Sequence, residues 1–156
     1  MIKILRHEER YMYYFRKAQT SKLKKLFRVL QLICGRRYGI EIGIDAKIGT
    51  GFHMVHPYNI TVSGLAVVGD NCIMLKGSTI GVVNGDWEHW GAPIIGNCVY
   101  IGLNSTVIGK IRIGDDVLIA PNTLVNQDVP SHSVVIGNPM QVHHKEQATR
   151  YYINDK

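Results

Sequence analysis

From residue 40 onward, aliphatic residues recur every six positions, each followed by a small, polar or second aliphatic residue. Ile42, Ile48, Met54 and Ile60 open the series, and Val68, Met74 and Ile80 continue it after a two-residue slip. Ile95, Ile101, Val107, Ile113, Ile119 and Val125 extend it. Four places after each member of this last group stand Val99, Ser105, Ile111, Val117, Thr123 and Val129, a second row of small or β-branched residues. An amphipathic helix has a period of about 3.6 and a half-buried strand a period of two, and neither explains a period of six with recurring glycines. Short strands parted by tight turns explain both. Hexapeptide repeats of this kind predict a mainly β protein, a parallel β-helix with about eighteen residues to each three-sided coil. Residues 84–92 (NGDWEHWGA) break the period once. A loop extruded there with Trp87 and Trp90 in it needs a surface to land on, a neighbouring subunit or a binding site by preference, with its own coil as the alternative.

Before residue 40 the pattern is helical. Leu23, Leu26, Phe27, Leu30, Ile33 and Cys34 fall at three- and four-residue intervals, as do Tyr11, Tyr14, Phe15 and Ala18. Thr20 and Ser21 are placed to cap the second helix and Gly35 to end it. The expected organisation is a helical extension over 1–39, a repeat domain over 40–142 and a tail over 143–156.

Charge separates these regions further. Residues 1–39 hold eleven Lys/Arg against Glu8 and Glu9, +9 in all, so the rest of the +6 chain carries −3. The simplest expectation is that the apolar stripe of the second helix packs on the neighbouring domain while its lysines are solvated. A basic amphipathic helix also suits peripheral contact with an anionic membrane. No groove-reading motif accompanies it, so nucleic acid is not expected as a partner.

The 156 residues are 46% hydrophobic and 19% charged, which excludes global disorder. Cys34, Cys72 and Cys98 are too few and too scattered for a disulfide framework or a zinc knuckle. No apolar run approaches the ~20 residues of a membrane span, and Arg6, Glu8, Glu9 and Arg10 interrupt any signal-peptide core. The expected setting is cytoplasmic, with the basic helix suited to the inner membrane face.

The stretches 42–49 (IGIDAKIG), 52–60 (FHMVHPYNI), 67–81 (VVGDNCIMLKGSTIG), 93–102 (PIIGNCVYIG) and 135–142 (VIGNPMQV) resemble the hexapeptide-repeat acyltransferases, nearest to the serine-acetyltransferase branch and its polysaccharide-modifying relatives. The resemblance covers about two thirds of the chain. It implies a left-handed β-helix, opposite to the hand that parallel crossovers usually take. It also implies a homotrimer, with acetyl-CoA as co-substrate lying between neighbouring helices.

The resemblance puts the catalytic base at His56 and its paired carboxylate fifteen residues upstream, at Glu41, with Asp45 in reserve. An imidazole with a pKa near 6.5 suits removal of a hydroxyl proton, and a carboxylate behind it fixes the tautomer. His53, Asn59, Trp87 and His89 are the expected acceptor-binding residues. Gly81, Leu103, Ala120 and Pro121 are expected along the pantetheine arm, with Gly81 allowing close approach of the thioester. His7, His132, His143 and His144 are read as surface or packing residues.

The family's aspartate before the catalytic histidine and arginine before the second one are here Val55 and Gly91. Without those charges the expected acceptor is a neutral saccharide hydroxyl, in surface polysaccharide biosynthesis, with serine O-acetylation as the alternative and a non-catalytic trimeric scaffold as a reading of another class. A zinc site of three histidines is not expected, since no third histidine follows His53 and His56 at a matching place.

Overall fold

The computed structural model describes residues 6–83 and 90–153. The chain forms a three-sided solenoid of parallel strands behind two helices, consistent with the left-handed β-helix. The first face stacks β1 (Ile40–Ile42), β4 (Ile60–Val62), β7 (Thr79–Gly81), β10 (Thr106–Ile108) and β13 (Leu124–Val125). The second stacks β2 (Lys47–Ile48), β5 (Val67–Val68), β8 (Ile94–Ile95) and β11 (Arg112–Ile113). The third stacks β3 (His53–Val55), β6 (Ile73–Leu75), β9 (Tyr100–Ile101), β12 (Val117–Ile119) and β14 (Ser133–Ile136), and β15 (Gln141–His144) turns back antiparallel on β14.

The repeat becomes a core because one aliphatic residue per side points inward and stacks on its equivalent one coil away. Ile42 lies beside Val62 and Val62 beside Ile80; Ile48 lies beside Val68, and Met54 beside Met74. All are buried, as is the second row from Val99 to Val129. Ser105 and Thr123 in that row are buried polar groups; the Ser105 hydroxyl donates to Ala120 O at 2.8 Å, and the Thr123 N–H donates to that hydroxyl. Coils approach too closely for a side chain at several turns. A Cβ on Gly102 would stand 2.7 Å from Ile119 O and Pro121 N.

The edge between the third and first faces is a column of left-handed residues: Gly39, Asn59, Gly77, Asn104 and Asn122, with φ between 53° and 77°. Asparagine and glycine tolerate this region better than most residues. Apart from Gly39, whose N–H donates to Gly35 O at the end of α2, each N–H in the column donates to a carbonyl one level below: Asn59 to Tyr38, Gly77 to Tyr58, Asn104 to Lys76 and Asn122 to Leu103. Tyr58, Lys76, Leu103 and Pro121 are thus equivalent positions on successive coils.

A β-helix leaves an unpaired strand at its open end, which must be covered. Helix α1 (His7–Thr20) does this. The Gln19 amide donates to Ile44 O and Ala46 O at 2.9 and 3.0 Å, and Arg16 donates to the Ile48 carbonyl. Tyr11 Oη accepts from Ile42 N–H at 3.0 Å, while Tyr11, Phe15 and Ala18 close the core.

Helix α2 (Lys24–Tyr38) departs from expectation in three ways. Ser21 Oγ accepts from Leu23 N–H, but the residue preceding the helix is Leu23, which supplies no capping side chain. Gly35 lies inside the helix, pressed against the Ile40 carbonyl, and Gly39 at φ 66° ends it. The inward face is built on Gln31 and Gly35, with Phe27 and Cys34 half-buried, whereas Leu23, Leu26 and Ile33 point to solvent. Gln31 took the place expected of a hydrophobe because it bonds both Tyr11 Oη and Ile42 O, groups that need a polar partner.

Among the described residues no disulfide joins Cys34, Cys72 or Cys98. Among the described residues, no helix is long and apolar enough to cross a membrane.

Candidate active site

The first coil is two residues longer than the eighteen-residue coils of the repeat, such as Val62 to Ile80 or Val107 to Val125. Val55 pairs with Leu75, twenty residues on, yet Tyr58 and Lys76 are equivalent at a separation of eighteen. The slip in the hydrophobic period therefore falls between Met54 and Val62, and His56 and Pro57 are the two residues without counterparts in the coil above. They form a bulge on the edge between the third and first faces. His56 is exposed at φ 49°, and its carbonyl accepts from Tyr58 N–H at 2.8 Å. Lacking a stacked neighbour, the imidazole projects away from the solenoid.

His56 lines a cleft of about 460 Å³ with His53, Tyr58 and the start of α1, namely Arg6, His7 and Glu8. Glu8 is a buried carboxylate, 7% exposed, with Arg6 Nε at 3.3 Å and His7 Nδ1 at 3.6 Å. The His7 ring stacks on Tyr38 at 4.4 Å between centroids, and its Nε2 is buried with no hydrogen-bond partner among the described residues. His7, read from sequence as packing or surface, is both a packing residue and part of this wall. Sequence reasoning missed Glu8 and His7 here because they precede the repeat, and only docking of α1 brings them to His56.

Glu41 is the middle residue of β1, beside Thr61 of β4, the strand that leaves the His56 corner. It lines a different recess, of about 350 Å³, with Arg28 and Arg36, and no hydrogen bond or ion pair joins it to His56 among the described residues. Asp45 lies near Arg16 and Gln19, on the edge between the first and second faces, away from His56. Asn59 is exposed on the His56 edge as part of the left-handed column.

Of the residues expected along the acyl donor, Leu103, Ala120 and Pro121 share the edge that carries His56, two and three coils further along. Gly81 does not. It ends β7 beside Ile108, at the opposite end of the first face. The stems of the inserted loop stand next to it, where Val83 and Gly91 form an antiparallel bridge. Trp87 and His89 lie outside the described residues. Among the described residues, no group of three or more histidine, cysteine or acidic side chains is placed to hold a metal ion.

A second cluster sits on the edge between the second and third faces. Asp116 accepts from the Ala148 and Thr149 N–H groups at 2.9 Å each, from Thr149 Oγ1 at 2.7 Å and from His132 Nδ1 at 2.9 Å. Burial pushes the Asp116 carboxyl up, but these bonds outweigh it and hold the group below its ordinary value. The same hydrogen bond raises the His132 imidazole above its usual range. The tail is thereby folded back on the solenoid, with Ala148 and Ile153 buried.

No protein-family model matches the chain. Serine acetyltransferase 4 of Arabidopsis thaliana is 36% identical over 121 residues, which is 76% of this chain and 33% of that protein. The serine acetyltransferase of Synechococcus elongatus is 32% identical over 124 residues, 78% of this chain and 50% of that one. The chain thus spans a third to a half of the length of these relatives. Among solved structures, serine acetyltransferase of Neisseria gonorrhoeae superposes with a TM-score of 0.74 at 28% identity, covering 90% of this chain and 54% of that one. The Brucella abortus enzyme in complex with coenzyme A gives 0.78 at 25%, covering 90% and 57%. Sequence and fold together make this chain a hexapeptide-repeat protein of the serine-acetyltransferase-like branch of acyltransferases.

Proposed function

We propose that the chain is an acetyl-CoA-dependent O-acetyltransferase whose acceptor is serine or a similar hydroxy-amino acid. The observation that carries this reading is the cleft that the exposed imidazole of His56 shares with the carboxylate of Glu8. Val55 and Gly91 had pointed to a neutral saccharide, because the charges that hold a zwitterion are missing from those two positions. The relatives, all serine acetyltransferases, favour the amino acid instead, and Glu8 offers from another element the charge an ammonium group needs.

In this reading His56 removes the proton of the acceptor hydroxyl as the oxygen attacks the thioester carbon. The imidazolium then returns that proton to the CoA sulfur as the C–S bond breaks. Glu41, exposed on β1 and lining a separate recess, would have to turn its side chain out of that recess to orient and stabilise the imidazolium, and His53 and Asn59 are assigned to contact the acceptor. Leu103, Ala120 and Pro121 provide a run of backbone and small apolar surface along the same edge for the pantetheine arm. Gly81, beside the loop stems, is assigned to the contribution of a neighbouring copy. The loop stems and His56 stand on different edges of one solenoid, which supports a homotrimer in which the Gly81 edge of one copy lies against the His56 cleft of the next.

Thiol release from acetyl-CoA, measured with L-serine, its analogues and a panel of sugars, tests the reading. Serine should turn over fastest, and His56→Ala should lower kcat by about 10²–10⁴. Faster turnover of any sugar would return the acceptor to the saccharide class. Full activity in His56→Ala would remove the base from its role.

A further inference from the structure

Helix α2 turns an apolar face to solvent. Leu26, Val29 and Ile33 recur at three- and four-residue spacing and are 53, 52 and 62% exposed, with Leu23 and Leu32 beside them. Five large aliphatic side chains on one exposed helical face is more than a solvated helix carries without a partner. The ends of this face are basic. Lys22 and Lys25 lie exposed at its start and Arg36 and Arg37 at its finish, and α2 contains no acidic residue.

We infer that this face seats the protein on an anionic lipid surface, with the aliphatic side chains entering the headgroup boundary and the lysines and arginines meeting lipid phosphates. The charge pattern is what selects this occupant. A second copy of the helix laid on the same face, parallel or antiparallel, would set basic ends against basic ends, which disfavours self-pairing. An anionic surface complements both ends at once. The face lies opposite the Gln31–Gly35 side that packs on α1 and β1, so seating it requires no rearrangement of the solenoid.

The test is flotation of the full chain with vesicles of phosphatidylcholine, with and without phosphatidylglycerol, at low and at raised salt. Binding to the anionic vesicles should be at least about tenfold tighter and should weaken as salt is added. Val29→Asp with Ile33→Asp should abolish it without altering assembled mass or circular dichroism. Lys22→Glu with Lys25→Glu should weaken it while leaving the apolar face intact, and it decides the matter if the first variant misfolds. Wild-type protein that stays off anionic vesicles at low salt would overturn the inference. So would a change in assembled mass in the aspartate variant, since the face would then belong to an interface between copies. Neither result bears on serine acetylation, which is read from thiol release.

Discussion

Glu8 lines the same cleft as His56, although 48 residues separate them and one precedes the solenoid while the other lies within its first coil. The carboxylate comes from the first turn of α1, and the imidazole from a bulge in the solenoid that α1 covers. Their proximity depends on the helix docking through Arg16, Gln19 and Tyr11.

If Glu8 holds the ammonium group of the acceptor, Glu8→Gln removes a charge while keeping the shape. The KM for L-serine should rise about tenfold or more, as expected for loss of a charge-assisted hydrogen bond, with the KM for acetyl-CoA unchanged. Steady-state kinetics with each substrate varied separately would show this. An unchanged serine KM would leave Glu8 a structural partner of Arg6 alone.

Because His56 and Pro57 have no counterparts in the next coil, deleting both should give a first coil of the same length as the second. The shortened chain should fold, with a melting temperature within a few degrees of the parent, and should have no transferase activity. Circular dichroism melts beside the thiol-release assay test this. Loss of folding would mean that the bulge is required by the corner itself.

The Asp116 cluster should make tail docking depend on pH. Asp116 has its pKa lowered from 3.8 by folding, so its contribution is present above that value and is lost as pH falls through the lower, folded one. His132 has its pKa raised from 6.5, so its contribution is full below 6.5 and is lost as pH rises through the folded value. Glu146, 3.6 Å from His132, and Asp115 act on the imidazole in the same direction. Protection of the Ala148 and Thr149 amides, corrected for intrinsic exchange, should therefore be greatest between these limits and decline on the alkaline side. In His132→Ala the alkaline decline should vanish, and Asp116→Asn should lower protection throughout.

Gly102 tests the stacking itself. Its missing Cβ leaves room for the backbone of the coil above, 2.7 Å away, and backbone cannot swing aside as a side chain tip would. Gly102→Ala should cost about 1–3 kcal/mol, as overpacking of a tight core does, read as a shift in the denaturation midpoint. A neutral result would mean that the coils separate more easily than their hydrogen bonds suggest.

Much of the solenoid was legible in the residues because each hexad carries its own instruction: an aliphatic residue inward, then a turn. Ile42, Ile48 and Met54 announced their faces without reference to anything distant, and even the inserted loop showed as a break in the period. The helices were less legible. The same three- and four-residue spacing fits more than one face of α2, and which face turns inward depends on Gln31 finding Tyr11 and Ile42, thirty and more residues of chain folded together.

The sequence alone determined the repeat and its three-sided cross-section, because these rest on local periodicity, and it singled out His56 as a candidate through a contiguous motif. Tertiary structure decided that the slip in the period is the bulge that carries His56, that Glu8 rather than a neighbour of His56 brings charge to the cleft, and that Leu26, Val29 and Ile33 are left facing outward. The physical reason is the same in each case. Hydrogen bonds from α1 to the open edge of the first coil choose the orientation of both helices, and that choice is made between groups far apart in the chain, where no local pattern records it.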